Sequence, residues 1–256
     1  MSASTLVNQE AQPKTVALFV SDLHLCAQMP KTAAAFFRFL DQEAASTRQL
    51  FLLGDVFEYW AGDDDLDDPF NRKVVNALRA LTDGGVALYW MAGNRDFLVG
   101  DAFAQATGMC LLPDPYVADI GGQRMLLVHG DAQCTDDKDY MAFRSQVRNP
   151  VWQSAFLAKP LTERKMIIEG MREGSRDAQR EKSMAIMDVN TSAIAGLFDA
   201  HHIDIMIHGH THRPAIHREA QRLRYVLSDW DGDSDVTRGG WIAADSAGHL
   251  HVHTLP

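Results

Sequence analysis

Ile203-Asp-Ile-Met-Ile-His-Gly-His-Thr-His212 sets an apolar run, Ile203 to Ile207, directly against three imidazoles within five residues. A short apolar run bounded by Gly and polar residues reads as a buried strand. Imidazoles crowded at its end suggest a metal site, although a His-rich turn also occurs as a solvated loop. Four upstream segments end the same way and decide the matter. Val16 to Val20 runs into Ser21-Asp22-Leu23-His24, and Leu50 to Leu53 into Gly54-Asp55. Ala87 to Ala92 runs into Gly93-Asn94-Arg95-Asp96, and Met125 to Val128 into His129-Gly130-Asp131. Functional groups on an α/β sheet gather beyond the carboxyl ends of its strands. Five strands therefore bring Asp, His and Asn side chains to one edge.

Helical spacing fills the gaps between these runs. Thr32 to Ala45 carries Phe36, Phe37 and Leu40, and Asn71 to Leu81 repeats apolar residues at 74, 75, 78 and 81, one helix face. Asp83-Gly84-Gly85 stops that helix. Gly100 to Gly108 reads as a short helix leading to a strand near Met109 to Leu112. The alternation argues for an α/β layered core. From Asp136 to about Met187 no strand-like run occurs, only amphipathic stretches punctuated by Pro150 and Pro160. This segment is expected to be an inserted helical cap over the site, the alternative being a helical layer that only completes the core. The expected division is a flexible tail over 1–14, a core over 15–135 and 188–256, and the cap over 136–187. Asp188 to Ala200 reads as a core helix, with strands at Arg222 to Leu227, Gly240 to Ala244 and Leu250 to His253.

The 256 residues can bury a large core, and an apolar fraction of 46% is ordinary for a soluble domain. No stretch approaches the ~20 apolar residues of a membrane span, and Met1 to Lys14 lacks the apolar region of a signal peptide. Cys26, Cys110 and Cys134 form no disulfide framework and suit a reducing cytoplasm. Cys134 lies near the His129 loop, but a small buried thiol is its simpler reading. A net charge of -10 argues against nucleic-acid binding. Tyr140 to Lys182 nevertheless holds nine basic against five acidic side chains, a net of +4. That segment is either a solvated helical face or a surface for phosphate or an anionic membrane. Nothing points to an obligate protein partner.

Imidazole with carboxylate, and no thiolate, suits Mn, Fe, Zn or Co more than a structural zinc knuckle. Seven candidate ligands exceed the needs of one ion; two ions sharing a bridging carboxylate fit better. Paired ions ~3.5–4 Å apart clamp attacking and leaving oxygens in phosphoryl chemistry.

Asp22-Leu-His24, Gly54-Asp55, Gly93-Asn94-Arg95-Asp96, His129-Gly-Asp131 and Gly209-His210-Thr-His212 together resemble the signature of the calcineurin-like metallophosphoesterases. Order and spacing agree from about residue 16 onward. The resemblance implies a four-layer αββα sandwich with a dimetal site. It implies that Asp22, His24, Asp55 and His212 hold one ion, and that Asp55 bridges to a second held by Asn94, His129 and His210. His208 matches no ligand and points to the opposite side of the turn. A narrower likeness rests on His129 to Tyr140, Met184 to Asn190 and Gly209 to Pro214. These stretches resemble the bacterial UDP-2,3-diacylglucosamine pyrophosphatases. That likeness implies hydrolysis to UMP and 2,3-diacylglucosamine 1-phosphate (lipid X) in lipid A biosynthesis, with Mn2+. It also implies peripheral docking on the cytoplasmic face of the inner membrane. Substrate contacts would fall to Asn94, Arg95, Asp137, Tyr140, Ser175, Gln179, Lys182 and His210, with Asn94, Arg95 and Asp55 catalytic. Gln179 departs from the pattern, which has Asn there.

Most of the wider family carries His after Gly-Asn, where this chain has Arg95. Arginine stays protonated, so it donates protons poorly and clamps charge well. A departing phosphate needs no proton, so the exchange favours an anhydride over a phosphomonoester. A diacylated sugar also needs an apolar cleft beside a charged site, which the helical segment can supply. Other readings are a nucleotide phosphodiesterase or phosphatase of this fold, or a scaffold that lost its metals.

Overall fold

The apolar runs are strands because both of their faces are covered. In β1 (Thr15–Val20) and β2 (Gln49–Leu53), Leu18, Val20, Leu50 and Leu52 pack against helices. The intervening Ala17, Phe19, Phe51 and Leu53 pack against a second sheet. Side chains alternate between faces along a strand, so a strand buried on both sides shows no polar positions. The computed structural model describes residues 13–181 and 188–255, so the tail expected over 1–14 lies almost wholly outside the described residues.

The first sheet has the order β11-β10-β1-β2-β3-β4. Here β3 spans Ala87–Met91, β4 Cys110–Leu112, β10 Gly240–Asp245 and β11 Leu250–Thr254. β1 to β4 are parallel, joined through α1 (Pro30–Gln42), α2 (Pro69–Asp83) and α3 (Asp101–Thr107). The second sheet runs β5-β6-β7-β9-β8. Its strands are β5 (Tyr116–Ile120), β6 (Gln123–Leu127), β7 (Ile205–His208), β8 (Ala215–Glu219) and β9 (Arg222–Val226). Between β6 and β7 come α4 (Lys138–Val147), α5 (Pro150–Leu157), α6 (Leu161–Glu181) and α7 (Thr191–His201). Ile194 and Phe198 of α7 cover the outer face of the second sheet at Leu126, Val128 and Met206. Helices, sheet, sheet and helix make the expected αββα order.

Register then positions the site. Val20 is level with Leu52, and Leu53 with Met91, so the loops after β1, β2 and β3 leave the sheet at one edge. Leu127 and Ile207 are level in the second sheet, which sends the loops after β6 and β7 to the same place. Trp230 fastens a late loop beside this edge. It is fully buried, edge-on to Phe36 and Phe39, and its Nε1–H donates to the Gly240 carbonyl at 3.0 Å. Truncating such a tryptophan to Ala costs about 3–5 kcal/mol.

Two hairpin strands were not anticipated. β5 turns into β6 through Gly121-Gly122, with φ of 59° and 76°, the backbone that tight hairpins demand. β8 is exposed along its whole length, so it lacks the apolar signal that marks the buried strands. Helix starts also moved. α1 begins at Pro30, a residue preorganised for a first turn. α7 begins at Thr191 rather than Asp188, because the Asn190 side chain accepts from Ala193 N and caps it.

Candidate active site

Five of the expected metal ligands sit in left-handed backbone. The φ angles are 54° for Asp22, 47° for His24, 53° for Asp55, 68° for His210 and 52° for His212. Only two other described non-glycine residues, His202 and Ala220, share that conformation. Such strain persists where surroundings over-determine it, and it concentrates at functional sites. Here the surroundings are close-packed loops. A Cβ on Gly93 would come within 2.2 Å of Asp55, and one on Gly209 within 2.2 Å of Asp22 Oδ2. Asp96, fully buried, ties two loops together by accepting from Gly93 N and Val56 N, both at 2.8 Å, and from Asp55 N at 3.2 Å.

The seven residues gather into two adjoining groups. Ligand atoms of Asp22, His24 and His212 lie within 4.8 Å of one another, as do those of Asp55, His129 and His210. In the first group His24 Nε2 and His212 Nε2 face each other at 3.2 Å, with Asp22 Oδ1 3.4 Å from His212 Nε2. In the second, Asn94 Oδ1 lies 3.1 Å from His129 Nε2 and 2.8 Å from His210 Nδ1, and Asp55 Oδ1 is 3.7 Å from His129 Nε2. Each group draws on both sheets. Asp22, His24, Asp55 and Asn94 follow strands of the first, and His129, His210 and His212 follow strands of the second.

The donor set fits divalent cations. Asp22 Oδ1 is buried, and among the described residues it has only the long 3.4 Å approach of His212 Nε2 and no well-formed hydrogen bond, an arrangement that costs free energy unless a cation faces it. Burial opposes charge on the His129 ring, yet Asp55, Asp131 and Asp22 outweigh it and push its pKa up to about 9. Burial likewise opposes charge on Asp22, but His212, His129 and His24 hold its carboxyl well below the ordinary range. The carboxylates thus recruit positive charge here. The surrounding contacts orient the rings as metal-site partners do. Glu58 Oε2 lies 3.1 Å from His24 Nδ1, the Leu53 carbonyl 2.8 Å from His129 Nδ1, and Asp229 Oδ2 3.8 Å from His212 Nδ1. Arg238 Nε donates to Asp229 at 3.1 Å.

A cleft of about 720 Å³ opens over the two groups. His24, Asp55, Asn94, His210 and His212 line it together with Arg95, Asp137 and Tyr140. The backbone N–H of Arg95 donates to Asp55 Oδ1 at 2.8 Å. Asp137 caps α4, accepting from Tyr140 N at 3.0 Å, and the Tyr140 hydroxyl donates to Asp131 Oδ2 at 2.7 Å. The cleft lining is also apolar in part: Phe97, Phe143, Trp152, Phe156, Ile168 and Met171. The Trp152 and Phe156 rings stack at 4.9 Å. Ser175 and Gln179 belong to α6, but their side chains, like Lys182 as a whole, lie outside the described residues.

His208 stands apart. It is fully buried, and burial together with Arg224 pushes its pKa down to about 4. Cys134 is a buried thiol pushed up to about 12 by burial and neighbouring carboxylates, so it is no ready thiolate ligand. Glu58, Asp131 and Asp229 were not singled out from sequence. Only Asp131 carried a signal there, through its place in His129-Gly-Asp131.

Comparison with known proteins agrees with this geometry. The family model described as calcineurin-like phosphoesterase matches residues 16–214. A UDP-2,3-diacylglucosamine hydrolase of Aromatoleum aromaticum is 49% identical over 228 residues, 87% of this chain and 92% of that protein. A protein of the same name from Escherichia coli O7:K1 is 44% identical over 238 residues, 91% of this chain and 98% of its own. The chain belongs to the calcineurin-like phosphoesterase family, where its relatives carry the name UDP-2,3-diacylglucosamine hydrolase.

Proposed function

We propose that the chain hydrolyses the pyrophosphate bond of UDP-2,3-diacylglucosamine, releasing UMP and 2,3-diacylglucosamine 1-phosphate. The observation that carries this reading is the junction of two His/Asp groups with an apolar lining in one cleft. A charged diphosphate and two acyl chains need those surfaces side by side. The names of the 49% and 44% identical relatives point the same way.

Asp22, His24, Asp55 and His212 would hold one divalent ion, and Asp55, Asn94, His129 and His210 the other, with Mn2+ as the expected metal. Bound ions of this kind supply Lewis acidity and a water of lowered pKa. The chain's own residues do the rest. Arg95 presents a permanent positive charge to the leaving phosphate, which departs without a proton. Asn94 contributes a neutral carbonyl oxygen, limiting the negative charge beside the diphosphate. Asp137 and Tyr140 stand where the sugar phosphate would lie, with Ser175, Gln179 and Lys182 as the further contacts.

Helices α4 to α6 act as the cap in this reading, with Trp152 and Phe156 against the acyl chains. Val151 and Met166 point apolar side chains to solvent, 78% and 66% exposed. Beside the net positive charge of Tyr140 to Lys182 they suit the surface of an anionic bilayer. No described helix is long and apolar enough to cross a membrane, so the association proposed is peripheral, at the cytoplasmic face of the inner membrane. Incubation with Mn2+ and UDP-2,3-diacylglucosamine tests the activity. UMP and lipid X should appear together; turnover of a simple phosphodiester without either product would overturn the specific reading.

A further inference from the structure

His208 and Arg224 are buried groups that the reaction above leaves unused. His208 closes β7, and Arg224 lies on neighbouring β9. Arg224 Nη1 donates to His208 Nε2 at 2.9 Å. A guanidinium offers donors only, so this ring nitrogen is the acceptor and the ring proton resides on Nδ1. Nδ1 lies 2.8 Å from the Gly209 carbonyl oxygen and donates to it. That carbonyl also accepts from Thr211 N at 2.8 Å. The second bond closes a three-residue turn around His210, whose φ is 68°. Three-residue turns with positive φ at the centre are rare and strained, and they survive only where neighbours over-determine them. The other neighbours are in place too: Gly209 N donates to the His129 carbonyl, and His210 N to Asp22 Oδ2, each at 2.9 Å.

We infer that Arg224 and His208 are positioning residues for the metal groups. Arg224 selects the Nδ1–H form of His208, and His208 holds the Gly209 carbonyl so that the strained turn sends His210 and His212 into different groups. This rests on the reading of those two histidines as metal ligands.

Long-range proton–nitrogen NMR of the full chain, histidine-labelled and loaded with diamagnetic Zn2+, reads the tautomer directly. His208 should be Nδ1–H alone in the wild type and gain an Nε2–H population in Arg224→Leu, where only the Gly209 carbonyl still favours the Nδ1 proton. Calorimetric titration with Mn2+ alone should give a dissociation constant raised about tenfold in Arg224→Leu. Arg224→Lys keeps a donor and should restore both the tautomer and the affinity. An Nε2–H His208 in the wild type overturns the inference without any variant. So does an Arg224→Leu chain that binds Mn2+ as tightly as the wild type. A wild-type chain that binds no Mn2+ defeats the metal-ligand reading itself, a failure distinct from the tautomer result.

Discussion

Arg148, the residue that caps the C-terminus of α4, donates from Nη2 to the Gly93 carbonyl at 2.9 Å and to that of Ala92 at 3.3 Å, tying the end of α4 to the residue ahead of Asn94. Arg144, one turn back, donates to Asp131 from Nε at 2.8 Å, and Tyr140, a further turn back, donates to the same carboxylate. Residues four apart share a helix face, so one stripe of α4 grips the loops after both β3 and β6.

Replacing Arg148 with Met should loosen that grip. Two backbone carbonyls lose a charged donor, at a cost of about 1–3 kcal/mol. Displacement of the Asn94 loop should lower kcat by roughly tenfold to a hundredfold. A thermal melt and steady-state kinetics check both; an unchanged kcat would mean that the contact is only structural.

Arg95→Ala should reduce kcat by about a hundredfold or more, the loss expected when one charge-stabilising donor is removed. Mn2+ affinity should stay within about twofold, since the Arg95 backbone N–H, not its side chain, contacts Asp55. Turnover equal to wild type with metal bound would remove Arg95 from the mechanism.

Glu58→Gln should weaken Mn2+ binding about tenfold, because the carboxylate beside His24 Nδ1 makes the ring a better ligand. Calorimetry on the metal-free protein measures this.

The paired change Trp152→Ala with Phe156→Ala should raise KM for the diacylated substrate about tenfold or more, through lost apolar contact. Hydrolysis of a small soluble phosphodiester should be spared. Equal losses on both substrates would show that the stacked rings support the fold rather than the acyl chains.

The metal-free chain should show a distinctive pH response. His129 is raised from 6.5 to about 9, so its contribution to stability is complete below about 6.5 and fades as pH climbs to about 9. Metal binding displaces that proton, which removes this contribution's slope in the loaded protein. Melting curves across that range, with chelator and with Mn2+, make the comparison. A chelated protein with a flat response would contradict the charge balance described for the site.

Much of this site is legible in sequence because its causes are local. β1, β2, β3, β6 and β7 are covered on both faces, so each reads as an apolar run, and the candidate ligands stand within four residues of the strand ends. β8 escapes notice because every residue in it is exposed. Glu58 and Asp229 escape for a different reason. Asp229 meets His212 only after the chain has run out through β8 and back along β9, and Glu58 meets His24 across two parallel strands. Nothing in their immediate neighbours marks either one. The left-handed backbone at Asp22, Asp55 and His210 is equally silent, since the tolerance for it comes from loops packed against it.

The division of ligands between the sheets has a mechanical meaning. Neither sheet holds a complete set, so each ion would act as a rivet through the seam between them. A slip of one sheet past the other would dismantle both coordination groups in the same movement. Cutting the chain between β4 and β5 should therefore yield two pieces that bind metal only when reassembled.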